Sequence, residues 1–275
     1  MILEGKIALI TGGSRGIGLA VARSFLKEGA KVMLSARSKD ELEKTQSYLK
    51  KDFPGVSVFP IDVSNYALVK SLVEETENKF GKIDILVNAA GIYGPIGPTS
   101  EIDVDLWRKT YEINVFGTFH VIRETLPSMI KDRSGKIINF SGGGDGPLPN
   151  FSAYNSSKVA IVRLTETIAA EVMDLGIDVN CIAPGPVNTG FLEEALKAGE
   201  EKVGKSKYQE LLKQKAGGGV SPEKTAALCV FLASGVSDGL TGKFLSAVWD
   251  DWRKWDKKMI KEISKTDLYT LRRKI

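Results

Sequence analysis

Tyr154 and Lys158 stand four residues apart in the stretch SAYNSSK, residues 152–158 of a 275-residue chain. On a helix, positions i and i+4 lie one turn apart on the same face. A phenol can exchange a proton, but its ordinary pKa of about 10 makes it a poor base at neutrality. A neighbouring ammonium favours the phenolate and lowers that value. The same spacing also arises on ordinary helix surfaces, so the pair needs partners. Ser141 stands thirteen residues before Tyr154, at the end of the apolar run KIINFS. Its hydroxyl can hydrogen-bond an oxygen that is gaining or losing a proton. Asn114, in YEINVFGTF, falls inside a predicted helix. Asn is a middling helix former there, which often bonds local backbone or faces a polar neighbour.

A second constellation lies near the start. TGGSRGIG, residues 11–18, links an apolar run to a helical pattern and places Gly12, Gly16 and Gly18 in the order Gly-x-x-x-Gly-x-Gly. Glycines there permit a tight turn and a close approach of backbone to a pyrophosphate, which the positive end of the helix attracts. The end of the next strand, LSARS, has Ala36 where an NAD site places an acid, followed by Arg37. Arg37 and Arg15 suit a 2′-phosphate, so NADP(H) is expected over NAD(H).

These residues must be held by a scaffold, and its elements are readable. Short apolar runs at 6–11, 31–36, 56–62, 83–88, 136–141, 177–182 and 243–247 alternate with helical patterns. The longest of those patterns cover 103–130, 152–174 and 222–233, and Ser64 is a candidate cap for the helix carrying Val69, Leu72 and Val73. Near-continuous apolar strands alternating with helices imply a parallel sheet covered on both faces. The expectation is one α/β domain, a doubly wound (Rossmann) parallel sheet of seven strands with helices on both faces, over residues 1–248. Residues 188–217 interrupt the alternation with charged helical sequence. Residues 249–275 add an amphipathic helical extension, with Trp252, Trp255, Met259, Ile260 and Ile263 at helical spacing.

Composition removes other classes. The formal charge is only +4, and 250–275 alone holds nine Lys/Arg against five Asp/Glu, so the remainder is neutral. That argues against a nucleic-acid surface. His120 is the only histidine and Cys181 and Cys229 the only cysteines, which leaves no metal cluster and no His-based triad. No run is long and apolar enough for a membrane span, and no secretory signal is evident, so a cytoplasmic protein is expected.

Thr11-Gly-x-x-x-Gly-x-Gly18, the NAAG at 88–91, Asn114, Ser141, Tyr154-x-x-x-Lys158 and the APGPVNT at 183–189 together resemble the short-chain dehydrogenase/reductase family, in its compact one-domain branch. The resemblance covers roughly residues 4–247. It implies that Tyr154 is the acid/base, that Lys158 tunes it and orients the cofactor, that Ser141 polarises a carbonyl, and that Asn114 supports a water relay. It also implies cofactor contacts from Ser14, Arg15 and Ile17, from Asp62 and Val63 at the adenine, and from Asn88, Ala89 and Gly91 at the ribose. Pro184, Gly185, Val187 and Thr189 would hold the nicotinamide end, and 188–217 would be the substrate lid.

The implied activity is hydride transfer between NADP(H) and a carbonyl/secondary-alcohol pair: a 3-oxoacyl thioester, a ketosugar or polyol, or a cyclic ketone. The implied assembly is a homodimer or homotetramer built partly from the 103–130 and 152–174 helices. The alternative is a dinucleotide-binding regulatory or scaffold protein without turnover. Two features stay open: the lid lysines (Lys197, Lys202, Lys205, Lys207, Lys213, Lys215) as an anion site or a solvated face, and Asp145 in the glycine-rich 141–151 as a substrate contact.

Overall fold

A computed structural model describes residues 1–142 and 146–272. All seven expected strands form: β1 Ile7–Thr11, β2 Lys31–Ser35, β3 Val56–Val58, β4 Ile85–Asn88, β5 Gly135–Phe140, β6 Ile177–Ala183 and β7 Phe244–Ser246. They make one parallel sheet in the order β3-β2-β1-β4-β5-β6-β7. Neighbouring residues along one strand serve opposite cores. Ala8 and Ile10 pack on one side of the sheet with Val21, Phe25 and Leu228, while Leu9 packs on the other with Leu72, Val121 and Ile137. Both faces being covered explains why the strands read as unbroken apolar runs.

Ten α-helices are present among the described residues. They are α1 Gly16–Lys27, α2 Lys39–Leu49, α3 Tyr66–Phe80, α4 Val104–Tyr111, α5 Gly117–Asp132, α6 Ser152–Glu171, α7 Gly190–Val203, α8 Lys205–Ala216, α9 Pro222–Ala233 and α10 Lys257–Ser264. α1 and α9 pack together on one face, and α3 and α5 on the other. The cap of α3 is Asn65, whose side chain accepts from the Leu68 N–H, rather than Ser64. The Ser64 N–H and hydroxyl instead both donate to Asp62. Between α4 and α5 the chain widens into a π-turn, Glu112–Phe116, with Asn114 at its centre. Such turns inside a helix commonly mark functional positions.

The C-terminal segment is less helical than its periodicity suggests. Only Lys257–Ser264 is α-helix, started by Asp256, whose carboxylate accepts from the Met259 N–H. Trp252 lies in a separate single turn, and both Trp252 and Trp255 are buried in the core on the α1/α9 side. Trp252 packs 5.4 Å from Phe231, and Trp255 lies 5.2 Å from Tyr269. Beyond α10 the chain runs back along the outer edge of β7. There the Phe244 N–H donates to Tyr269 O at 2.7 Å, and Lys243 Nζ donates to Thr266 O at 2.7 Å and Leu268 O at 3.2 Å.

Candidate active site

Every strand of the sheet points its carboxyl end to the same side, and the candidate residues gather there. The strand order reverses between β1 and β4, which opens a crevice where doubly wound sheets take ligands. The glycine turn fills the floor of that crevice. Gly12 has φ 67°, and a Cβ on it would lie 2.7 Å from the Ala89 carbonyl and the Ala90 nitrogen. A Cβ on Gly18 would come within 2.2 Å of Gly12 O. Both positions therefore demand glycine on steric grounds. The Gly13 N–H donates to Ser35 O at 3.1 Å, which ties the turn to β2.

Two buried polar atoms flank this turn without a hydrogen-bond partner among the described residues: Ser35 Oγ at the end of β2 and Asn88 Oδ1 at the end of β4. Asn88 Nδ2 donates to Asn139 Oδ1 at 2.9 Å, and Asn139 Nδ2 donates to Thr165 Oγ1 at 2.9 Å. This chain holds the Asn88 amide in place and leaves its oxygen free. Orphaned buried acceptors are rare and mark places where a ligand or water completes the bonding. The glycine cradle, the helix start behind it and these orphan atoms fit a dinucleotide.

Val63 and Ser64, just after β3, are held from α4 and α5. Lys109 Nζ donates to Ser64 Oγ at 3.2 Å, and Gly117 lies so close to Val63 that a Cβ would meet its Cγ2 at 2.5 Å. His120 Nδ1 lies 3.0 Å from Val63 O, which can only accept, so this ring nitrogen carries the hydrogen. Burial pushes the Asp62 carboxyl upward, but hydrogen bonds from Ser64 and the charges of Lys109 and Arg37 outweigh it and hold the group below its ordinary range. Arg37 is exposed beside this carboxylate. Arg15 turns elsewhere: its guanidinium lies about Gly190, 3.6 Å from where a Cβ would stand, and its charge acts on Glu194. Ser14 Oγ donates to Glu41 Oε2 at 3.1 Å. Ile17, on the first turn of α1, packs against the core on that side of the sheet.

The chemistry-bearing residues converge on Gly91 and Gly142. A Cβ on Gly91 would lie 3.2 Å from Asn114 Oδ1 and 3.4 Å from Lys158 Nζ. Asn114 is fixed on all sides: Oδ1 accepts from the Ile92 N–H at 2.9 Å, and Nδ2 donates to Ile92 O at 3.0 Å and Ser157 Oγ at 2.9 Å. Lys158 Nζ donates to Phe140 O at 3.1 Å and lies 5.7 Å from the Tyr154 ring centre. Ser141 Oγ donates to Lys158 O at 3.2 Å. The Tyr154 hydroxyl lies against Gly142, 2.3 Å from a Cβ placed there.

Burial sets the protonation of both groups. It raises the Tyr154 phenol, with Tyr93 adding to the effect, and it lowers the Lys158 amine from 10.5 to about 8. Tyr154 is therefore a protonated donor at neutral pH, and Lys158 carries a charge that titrates just above neutrality.

At the other side of the crevice, Pro184 O accepts from Thr225 Oγ1 at 3.3 Å. Gly185 has φ 78°, and a Cβ there would meet Val248 Cγ2 at 2.7 Å. Val187 bridges to Val220, and the Thr189 methyl faces Gly16. α7 and α8 follow. Their apolar side sits on Tyr154, and their lysines point outward or pair with acids, Lys207 with Glu210 at 2.8 Å and Lys215 with Glu193 at 3.1 Å. The solvated-face reading of those lysines fits this placement.

Sequence reasoning missed three side chains of the site: Tyr93, Phe151 and Phe191. The Tyr93 ring lies 4.6 Å from both Tyr154 and Phe191, and 5.2 Å from Phe151. Their only signal in sequence is position: Tyr93 two residues after NAAG, Phe151 three before Tyr154, and Phe191 two after APGPVNT. Asp145 lies outside the described residues.

Comparison with known proteins agrees with the geometry. Dehydrogenase/reductase SDR family member 6 of Aquarana catesbeiana is 34% identical over 244 residues, covering 87% of this chain and 94% of that protein. L-fucose dehydrogenase of Mus musculus is 35% identical over 233 residues, 84% of this chain and 83% of that one. A crystal structure of a variant actinorhodin polyketide ketoreductase with NADPH superposes with a TM-score of 0.79 at 28% identity, covering 88% of this chain and 95% of that one. The family described as short chain dehydrogenase matches residues 6–199. The chain belongs to the short-chain dehydrogenase/reductase family of NAD(P)-dependent oxidoreductases.

Proposed function

We propose that this oxidoreductase interconverts a small-molecule ketone and its secondary alcohol with NADP(H) as the preferred cofactor. The observation that carries the reading is the meeting of Lys158 Nζ and Asn114 Oδ1 at Gly91, with Tyr154 one helical turn before the lysine. When bound, the reduced nicotinamide supplies a hydride, which the carbonyl carbon accepts. The carbonyl oxygen takes the proton of Tyr154, and the Lys158 charge stabilises the phenolate left behind. Ser141 has only to rotate its hydroxyl from Lys158 O to donate to the carbonyl oxygen. Tyr154 recovers its proton from solvent through Lys158 and the Asn114 turn. Atoms and electrons balance as ketone, reduced cofactor and one proton giving alcohol and oxidised cofactor.

In this reading Gly12, Ser14, Arg15, Gly16, Ile17 and Gly18 hold the phosphates, and Asp62, Val63, Asn88, Ala89 and Gly91 hold the adenosine. Pro184, Gly185, Val187 and Thr189 hold the nicotinamide end. The absence of an acid at Ala36, together with Arg37, supports NADP(H), although Arg15 turns toward α7 and leaves Arg37 to carry the preference. Arg37→Asp is expected to reverse the NADPH/NADH ratio of kcat/KM, and an unchanged ratio refutes the assignment.

The activity itself is tested by NADPH oxidation across a panel of ketones. Tyr154→Phe should lose about a thousand-fold in kcat while binding NADPH as before. Retained turnover in that variant sinks the mechanism, and binding without turnover across the panel favours a silent dinucleotide-binding protein. Val104, Leu106, Phe116 and Phe119 are exposed along α4, the π-turn and α5, which supports a homodimer or homotetramer through these helices. Among the described residues no helix is long and apolar enough to cross a membrane. The proposed location is the cytoplasm.

A further inference from the structure

His120 takes no part in the proton chemistry above, yet its half-buried ring is held on two sides. Its Nδ1–H donates to Val63 O at 3.0 Å. The Tyr66 ring lies 5.1 Å away, and the Tyr66 hydroxyl is itself tied to Glu124, one helical turn after His120.

The bond matters because of where Val63 stands. β3 is only three residues long and lies at the edge of the sheet. The chain beyond it leans on the β2 side through two backbone bonds, Phe59 N–H to Leu34 O at 2.9 Å and Ile61 N–H to Ala36 O at 3.1 Å. Asp62 then closes a turn by accepting the Ser64 N–H at 2.9 Å and the Ser64 hydroxyl at 2.7 Å. Bonds of such short range fix the shape of 62–64 and not its distance from the crevice. The long-range ties come from one stretch of helix. Lys109 Nζ reaches Ser64 Oγ at 3.2 Å, Gly117 packs on the Val63 side chain, and His120 takes the Val63 carbonyl. The π-turn lies between Lys109 and Gly117, and its Asn114 faces Ile92 and Ser157 instead.

We propose that His120 is a positioning residue for the adenosine half of the cofactor. Through the Val63 carbonyl it sets where Asp62 and Val63 stand, and it need not touch the cofactor itself. The inference rests on the placement of those two residues at the adenosine proposed above. Binding groups gain affinity when supporting hydrogen bonds hold them in place before the ligand arrives. Loss of the His120 bond therefore costs cofactor affinity. It leaves the reacting groups at Gly91 in place, because Asn114 and Lys158 are fixed by bonds of their own.

The test titrates the full chain calorimetrically with NADPH and with adenosine 2′,5′-bisphosphate, which carries the adenosine half alone. His120→Leu and His120→Phe both remove the donor, the second keeping a ring against Tyr66. His120→Asn puts an amide N–H near the place of Nδ1–H. Each donor-less variant should raise both dissociation constants by the same factor, about five- to ten-fold, and His120→Asn should recover most of that loss. With a ketone that the natural chain reduces, kcat at saturating NADPH should stay within about two-fold. Unchanged affinities in a donor-less variant that is folded by circular dichroism overturn the inference. So does a His120→Asn variant as weak as the donor-less ones, and so does a loss for NADPH without a loss for the bisphosphate. Asp62→Ala tests the reading beneath. Unchanged affinity for the bisphosphate in that variant overturns the adenosine placement, whereas weaker binding there beside an unchanged His120→Phe overturns only the role of His120.

Discussion

Replacing Lys158 by methionine should stabilise the cofactor-free protein while destroying its chemistry. Lys158 is 5% exposed, and the one hydrogen bond of its ammonium among the described residues goes to Phe140 O. Burial lowers its pKa from 10.5 to about 8. The folded chain therefore binds fewer protons than the unfolded chain between those two values. Its stability rises as pH climbs through that window, and the full penalty applies below pH 8. At about 1.4 kcal/mol per pH unit the penalty is roughly 3 kcal/mol. The lost hydrogen bond returns about 1.5 kcal/mol of that, because a charged donor is involved.

Lys158→Met should thus be more stable than the natural chain at pH 6.5, by about 1–2 kcal/mol. Its advantage should shrink by roughly 2 kcal/mol on moving to pH 9.5, where the natural lysine is largely neutral. Urea unfolding of both proteins at the two pH values measures this double difference, in which every other titrating group cancels. A gap that stays constant with pH would refute the argument that a buried charge on Lys158 strains the fold.

Two other substitutions follow from close contacts. Gly142→Ala places a methyl 2.3 Å from the Tyr154 hydroxyl, whose ring is wedged against Tyr93 and cannot retreat. Steady-state kinetics should show a kcat about a hundred-fold lower, with the NADPH dissociation constant unchanged. Trp252 is buried with its Nε1–H unpartnered among the described residues. Trp252→Ala should lose about 3–5 kcal/mol in urea unfolding, whereas Trp252→Phe, which removes an unsatisfied donor along with the volume, should lose less than about 1.5 kcal/mol.

The scaffold was legible because a sheet buried on both faces writes itself as unbroken apolar runs. Ala8, Leu9 and Ile10 serve two cores, so all three had to be apolar. The glycine turn was legible because Gly12 and Gly18 answer local steric demands. Directions of side chains were not. Nothing in the spacing around Arg15 says that its guanidinium faces the start of α7. The π-turn at Asn114 was invisible because the apolar periodicity continues through it, and only the contact with Ile92, 22 residues away, reveals it. Trp252 and Trp255 stand at helical spacing without an α-helix between them: Trp252 opens a single tight turn and Trp255 closes it, its N–H donating to Trp252 O at 3.2 Å. The cluster of Tyr93, Phe151, Tyr154 and Phe191 draws on three separate segments, so no single stretch of sequence announces it.

The strip that runs beside β7 has a consequence for how the molecule is made. β7 is complete at Ser246, but the carbonyl that pairs with its Phe244 N–H belongs to Tyr269. A ribosome that has just delivered β7 has delivered a sheet with one raw border, and some twenty more residues must emerge before the chain can bind it off. Until then the border is open to strands from other nascent chains, which is how edge-to-edge aggregation begins. A protease cut after α10 would recreate that state in the finished protein. It would also strip Lys243 of the two carbonyls that hold its ammonium, so the nicked molecule would carry both a bare strand and a newly uncovered positive charge.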